Sequence, residues 1–367
     1  MRRAPARALR RHGQGFSLIE IMVGMLIGMF AVIIVMQVFA AAEGNKRTTT
    51  GGNDAQVNAV LGLYALERDT RQAGQGLSAF TLLGCSLSYV TTTDGTAVTL
   101  DALAPVTVNS AKVPRQSTQV DTLLVESGSS GGSSEGDPLT AASTSTTLSV
   151  TVPAAFAVGD WVVGASATRG TPCVLTMGRV TAITGNVLTV TAAAPGLSVG
   201  DIAYNLGSSP TFRAYAVQSR TLRSCDYLAY DCSTVDDTRW TALAGGIVSL
   251  RAQYARDTTV GAMTGVVGGY DQITPGSPSD SSSLALYCRW ARVIGLRMAL
   301  VAQSSQYDKT YTALTPTWAG SAAAPIDLSA NTDYQHYRYK ALETTVPLRN
   351  MIWQGSQTTY QGGSGGC

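Results

Sequence analysis

Hydrophobic and polar positions divide the chain into three regimes. From Ile21 to Ala42 no charged residue occurs, and Gln37 is the one strongly polar side chain. At about 1.5 Å per residue this run predicts a helix roughly 33 Å long, enough to cross a hydrocarbon core of about 30 Å. The polar stretch that follows, 43–54, contains Gly44 and the pair Gly51-Gly52, and helix is expected to fray or bend there. Helix then resumes over 55–73, where Val57, Val60, Leu61, Tyr64 and Arg68 recur near a 3.6-residue period. That stripe predicts an amphipathic helix packing one face onto a globular domain. Arg68, Asp69 and Arg71 form a charged last turn, and Gly74 with Gly76 stops the helix.

From Leu77 the pattern changes to short β-type runs separated by turns. Predicted strands include 120–126, 148–152 and 161–163, and a hairpin joins 174–183 to 187–191 about Gly185-Asn186. Val158-Gly159-Asp160 recurs as Val199-Gly200-Asp201, which reads as two similar turns entering strands. Over 247–254, Ile247, Ser249, Arg251 and Gln253 alternate with Val248, Leu250, Ala252 and Tyr254, the signature of a half-buried strand. Strand character is also expected over 291–304, where a short helix is the alternative, and over 334–345. The Gly/Ser/Thr-rich stretch 127–147 predicts a flexible loop. The expected fold class is α+β: a long N-terminal helix, transmembrane and then amphipathic, packed on a mainly antiparallel β-sheet C-terminal domain. The expected divisions are a basic leader (1–15), a membrane helix (16–42), an amphipathic extension (43–76), a β-rich domain (77–354) and a Gly-rich tail (355–367).

Charge sharpens the membrane reading. Arg2, Arg3, Arg7, Arg10 and Arg11 precede the apolar run with no acid among them, which should hold that flank in the cytoplasm and leave the rest outside. Without these five arginines, 21 basic residues face 24 acidic ones, a net of −3. Such a sparsely charged, net-acidic chain is not built as a nucleic-acid binder, and no direct nucleic-acid partner is expected. The six cysteines, Cys85, Cys173, Cys225, Cys232, Cys288 and Cys367, include no C-x-x-C pair, and His336 is the one histidine beyond the leader. A zinc site is therefore not expected, and disulfides are the natural use outside the cytoplasm. Cys225 and Cys232 flank a short loop and are the expected local pair; the other four allow three pairings between which the sequence does not choose.

Candidate catalytic chemistry is sparse. A single histidine supports no Ser/His/Asp arrangement. The glycines of 128–136 lack the Gly-Lys-Ser/Thr of a phosphate-binding loop. Asp236-Asp237 and Asp280 lack calcium-loop spacing. No metal, no cofactor and no enzymatic activity are expected.

The arginine leader runs into Gly15-Phe16-Ser17-Leu18-Ile19-Glu20. A carboxylate beside an apolar span is costly, about 2.5–3.5 kcal/mol at the bilayer centre and less near its edge. No Lys or Arg lies within a turn or two inside the span to offset it. The motif resembles the prepilin signal of type IV pilins and type II secretion pseudopilins. That resemblance implies cleavage between Gly15 and Phe16, N-methylation of the new Phe16 amine, and a contact from Glu20 to the terminal amine of a neighbouring subunit. A unit charge pair at 4 Å is worth about 4 kcal/mol at an effective dielectric of 20, a useful recognition energy. An ordinary signal peptide cleaved after Ala40-Ala41-Ala42 would have a shorter apolar core. A plain uncleaved anchor leaves the placement of Gly15 and Glu20 to chance. Gly24 and Gly28 form a G-x-x-x-G, which reads either as a close-packing face or as the ordinary glycine content of membrane helices.

Three further stretches resemble the PilW family of minor type IV pilins: 65–74 (ALERDTRQAG), 243–254 (LAGGIVSLRAQY), and Trp290-Ala291-Arg292-Val293 together with 337–340 (YRYK) and 344–350 (TTVPLRN). The resemblance implies a structural minor pilin that primes pilus assembly, sits near the tip, and supports twitching, adhesion or DNA uptake by the whole machine. Its implied partners are other minor pilins, the major pilin, prepilin peptidase, the inner-membrane assembly platform, and membrane lipid before assembly. The implied location is the inner membrane, single pass with the N-terminus cytoplasmic, and then the extracellular pilus. The alternatives are a J-type minor pseudopilin of type II secretion and an uncleaved, membrane-anchored adhesin.

Overall fold

The computed structural model describes residues 15–131, 135–355 and 367. The leader 1–14, the loop residues 132–134 and most of the Gly-rich tail, 356–366, lie outside the described residues. The chain separates into two compact units, Met1–Gly51 and Gly52–Cys367.

A helix runs from Leu18 to Gln72, so the expected break at 43–54 does not occur. Each glycine there is about 1 kcal/mol less favourable than alanine. None removes a backbone hydrogen bond, though, and the stretch holds no proline. In the first unit the apolar run is exposed along its whole length, Phe16, Met25, Phe30 and Phe39 included.

In the second unit the helix packs on the β domain, but not through the expected stripe. Val57, Val60, Leu61 and Tyr64 are 50–65% exposed. Ala55, Ala59, Leu66 and Ala73 are buried instead, and they too follow helical spacing. At Gly62 a Cβ would lie 3.1–3.3 Å from Leu222, Leu300 and Ala244. Close packing selected the small-residue face, because only that face lets the helix backbone approach the sheets.

Three sheets complete this unit. A five-stranded antiparallel sheet runs in the order Trp240–Gly245, Thr221–Asp226, Thr211–Gln218, Leu123–Ser127, Val106–Val108. Its two faces serve two cores. Leu123, Val125, Tyr215, Val217 and Leu222 join the core that includes the helix, while Leu124, Phe212, Ala214, Ala216 and Cys225 join a second core. Period-two alternation with apolar residues on both faces produces this sandwich. Beyond the second core lies an eight-stranded sheet, led by Ala97–Leu100, Ser86–Val90, Val174–Thr184, Trp161–Ala165 and Ile202–Gly207. Ser86–Val90 and Val174–Thr184 pair in parallel, directly after the Cys85–Cys173 disulfide. The turns at Gly159 and Gly200, both with positive φ, enter Trp161–Ala165 and Ile202–Gly207, and these two strands pair with each other.

The four-stranded antiparallel sheet has the order Gly269–Asp271, Ile247–Arg256, Val293–Gln303, Tyr339–Pro347. Here the half-buried reading of 247–254 is corrected. A register shift between Ile247 and Ser249 places Ile247 in the same core as Leu250, Ala252 and Tyr254. The polar face is buried as well, since Ser249, Arg251 and Gln253 are all nearly inaccessible. A bulge inverts alternation, and sequence period cannot reveal one.

Two further expectations change. Within 127–147, Ser127 ends a strand and Asp137–Pro138 pairs with Ile202–Gly207. In the same stretch the buried Ser143 hydroxyl donates to the Ala194 carbonyl at 2.8 Å and accepts from the Leu197 amide at 2.9 Å. This part of the stretch walls a small lobe around Leu139, Leu148, Val162 and Leu188. Tyr334–His336 is a 3-10 turn, and the last strand begins only at Tyr339.

Candidate functional site

Helix starts where the motif's Ser17 carbonyl accepts from the amides of Glu20 (3.0 Å) and Ile21 (3.2 Å). Gly15 and Phe16 precede it outside the helix and exposed, with Phe16 79% exposed. Glu20 lies in the first turn, where the helix dipole favours a negative charge, and its side chain is exposed. Among the described residues it has no ion-pair partner. Gly24 and Gly28 lie four residues apart on one face, and a Cβ at either would meet open space. The geometry is an accessible carboxylate at the head of a long apolar surface.

At the other end the same helix is clamped to the β domain. The Asp69 carboxylate accepts from Arg68 Nε (2.9 Å), Arg213 Nη1 (2.6 Å) and the Tyr215 hydroxyl. Burial would raise its pKa, but the Tyr215 and Arg68 hydrogen bonds and the charges of Arg213 and Arg68 together hold it below the ordinary value. Asn350 Nδ2 donates to the carbonyls of Gln72 (3.1 Å) and Ala73 (3.2 Å), satisfying acceptors that a helix end leaves open. Gly74, at φ +81°, turns the chain away, and its amide donates to the Glu126 carbonyl at 2.9 Å. A Cβ there would lie 2.7 Å from Met351 Sδ, so both conformation and space require glycine.

Glu126 is fully buried beside this exit. Burial pushes its carboxyl well above the ordinary carboxylate range, although the Ala104 amide donates to Oε2 at 2.7 Å. Burial thus favours the neutral form of this carboxyl over the charged one. Asp69, Arg213, Tyr215, Glu126 and Asn350 were not singled out from the sequence. Asp69 reads there as part of a charged helix end, and the others come from three distant segments.

The remaining candidate residues have local partners. Cys225 bonds Cys232 and Cys288 bonds Cys367, so with Cys85–Cys173 no cysteine is free. His336 Nδ1 lies 3.0 Å from the Tyr311 carbonyl oxygen, and its ring stacks obliquely on Tyr307. Asp236 accepts from Thr238, Asp237 pairs with Arg223, and Asp280 pairs with Arg289 at 2.8 Å. Among the described residues no group of three or more His, Cys, Asp or Glu side chains is placed to hold a metal.

Residues 214–350 match the family model described as Type IV Pilus-assembly protein W. Residues 10–36 match the prokaryotic N-terminal methylation motif. A type IV-like pilin from Thermus thermophilus is similar in structure at 13% identity and a TM-score of 0.31, covering 81% of this chain and 96% of that one. No curated protein sequence matches the chain. The two sequence matches make the chain similar to PilW-type type IV pilins over 214–350 and to prepilins at its N-terminus. Of the three PilW-like stretches, 243–254 and the group from Trp290 to Asn350 fall inside the matched region, and 65–74 falls outside it.

Proposed function

We propose that the chain is a structural minor pilin, processed between Gly15 and Phe16, methylated at Phe16, and drawn into a filament by its N-terminal helix. The observation that carries this reading is the exposed Glu20 carboxylate heading an exposed apolar helix, inside the match to the N-terminal methylation motif. An apolar surface of this length must be covered by lipid or by other subunits. A carboxylate at its head gives a charged group on a neighbour, such as a new terminal amine, a reason to dock in one register. Gly24 and Gly28 would then let a neighbouring helix approach closely. The partners are lipid and the assembly platform before incorporation, and the major and other minor pilins afterwards. A priming role at or near the tip, with twitching, adhesion or DNA uptake as properties of the whole filament, is the finer reading to which the PilW likeness lends support. The β domain would supply specificity and the helix-exit clamp would couple it to the filament core.

Intact-mass and N-terminal analysis of protein from the native membrane tests the processing step. A chain beginning at N-methyl-Phe16 is expected, and one beginning at Met1 or after Ala42 would refute it. Glu20→Ala should leave membrane insertion intact and abolish recovery of the protein in sheared filaments. Normal recovery would remove Glu20 from the assembly contact.

A further inference from the structure

A cleft of about 480 Å³ opens at one end of the four-stranded sheet, within the range of roughly 300–1,000 Å³ typical of small-ligand sites. Six separate segments meet there: the loop around Gln119, the hairpin tip at Arg220, Val248, Gln303, the loop 327–331 and Tyr339. Gln303 is 3% exposed, yet its amide Nε2 and Oε1 both lack hydrogen-bond partners. It lies on the same sheet face as Ala299 and Val301, which pack against Trp318 and Leu328, and it sits just where that cover gives way to the cleft. A buried amide with neither end satisfied is rare in a folded protein and needs a cause.

The hairpin tip carries a second anomaly. Ser219 and Arg220 adopt φ +49° and +60°, a two-residue turn for which Asn-Gly is the unstrained choice. Strain of this kind persists where the surroundings hold it, and here it brings the Arg220 guanidinium to the cleft, 5.8 Å from the Tyr337 ring. The walls are also fixed before any ligand arrives. Buried Arg251 donates to the Gln119 carbonyl at 2.9 Å and to Asp121 at 3.1 Å. The Tyr339 hydroxyl donates to the Tyr334 carbonyl at 2.9 Å, which sets its ring.

We propose that this cleft binds a neutral, hydroxyl-rich saccharide unit, with Gln303 and Arg220 as recognition groups and the Tyr339 ring as an apolar platform. Its charged lining is one guanidinium, Arg220, and one carboxylate, Asp327, so it has no net attraction for an anion or a cation. Its other polar groups include planar amides, Gln119, Gln303 and Asn331. An amide offers a donor and an acceptor side by side, and adjacent sugar hydroxyls offer the same pair in return. The site belongs to the β domain alone, so it stands or falls independently of the assembly reading.

The test uses the full chain in lipid nanodiscs free of sugar-based detergent, applied to a printed array of neutral, sialylated and sulfated glycans. Binding to neutral glycans is expected, with competition by the corresponding free monosaccharide placing recognition in the sugar and not its carrier. Arg220→Gly relieves the strained turn, so it should keep the thermal midpoint while weakening binding at least tenfold. Gln303→Leu, which retains bulk but no amide, should weaken binding by a similar factor. Absence of saccharide binding, binding confined to anionic glycans, failure of the free sugar to compete, or affinity unchanged in Arg220→Gly would each overturn the proposal.

Discussion

The two parts of the long helix treat apolar side chains differently. Over 21–42 no face is buried, and large side chains point outward all round. Over 52–72 one face is buried, made of Ala55, Ala59, Gly62, Leu66, Asp69 and Thr70, while Val57, Val60, Leu61 and Tyr64 remain exposed. Hydrophobicity alone would have buried the valines and the tyrosine. Steric fit reversed the choice, because the two sheets, filled there by Leu222 and Leu300, leave room for Gly62 but not for a larger residue. The exposed stripe is therefore surface that the described residues do not cover.

The largest expected effect comes from forcing the packed face to obey hydrophobicity. Gly62→Leu should destabilise the domain by about 1–3 kcal/mol through overpacking, read as a lower denaturation midpoint. Wild-type stability in this variant would mean the helix does not sit against Leu222 and Leu300.

Next is the clamp. Asp69→Ala leaves the Tyr215 hydroxyl without its buried acceptor and should cost about 1–3 kcal/mol. The same residue predicts a pH dependence. Its folded pKa lies below the ordinary 3.8, so the unfolded chain binds more protons across that interval. Stability from Asp69 is thus complete above pH 3.8 and is lost as pH falls through the folded value.

Glu126 has the opposite sign. Its raised folded pKa means the native state holds a proton that the unfolded chain releases above about 4.5, so stability declines as pH rises from there towards the folded value. Glu126→Gln should flatten that decline while preserving the Asp69 transition. A decline that persists in Glu126→Gln would assign it to another group.

The smallest effect on stability is expected on the exposed stripe. Leu61→Ser should change folding free energy by no more than about 0.5 kcal/mol, as surface substitutions usually do. If the stripe is covered in a filament, the same variant should still lower recovery in sheared filaments. Full recovery would show that the stripe stays exposed after assembly.

The membrane-length helix, the prepilin motif, the hairpin at Gly185-Asn186 and the β-rich character of the domain were all legible in the chain. Each is written in neighbouring residues, as period, length or motif. Other features were beyond such a reading. The side of Ile247 depends on a bulge defined by its partner strand. Cys85 meets Cys173, and Cys288 meets Cys367, only because distant strands and a short helix bring them together. His336 reads as strand and is turn, since nothing local marks where pairing with Val293–Gln303 begins.

By itself, then, the sequence determined a helix long and apolar enough to cross a membrane, because an uncharged 22-residue run acts through local composition. The tertiary structure alone decided which helix face is buried, how Asp69, Tyr215 and Asn350 hold the helix exit, and that Gln303 and Arg220 share a cleft. Those outcomes rest on volume and hydrogen-bond complementarity between segments up to 278 residues apart, and no local pattern encodes a partner at that distance.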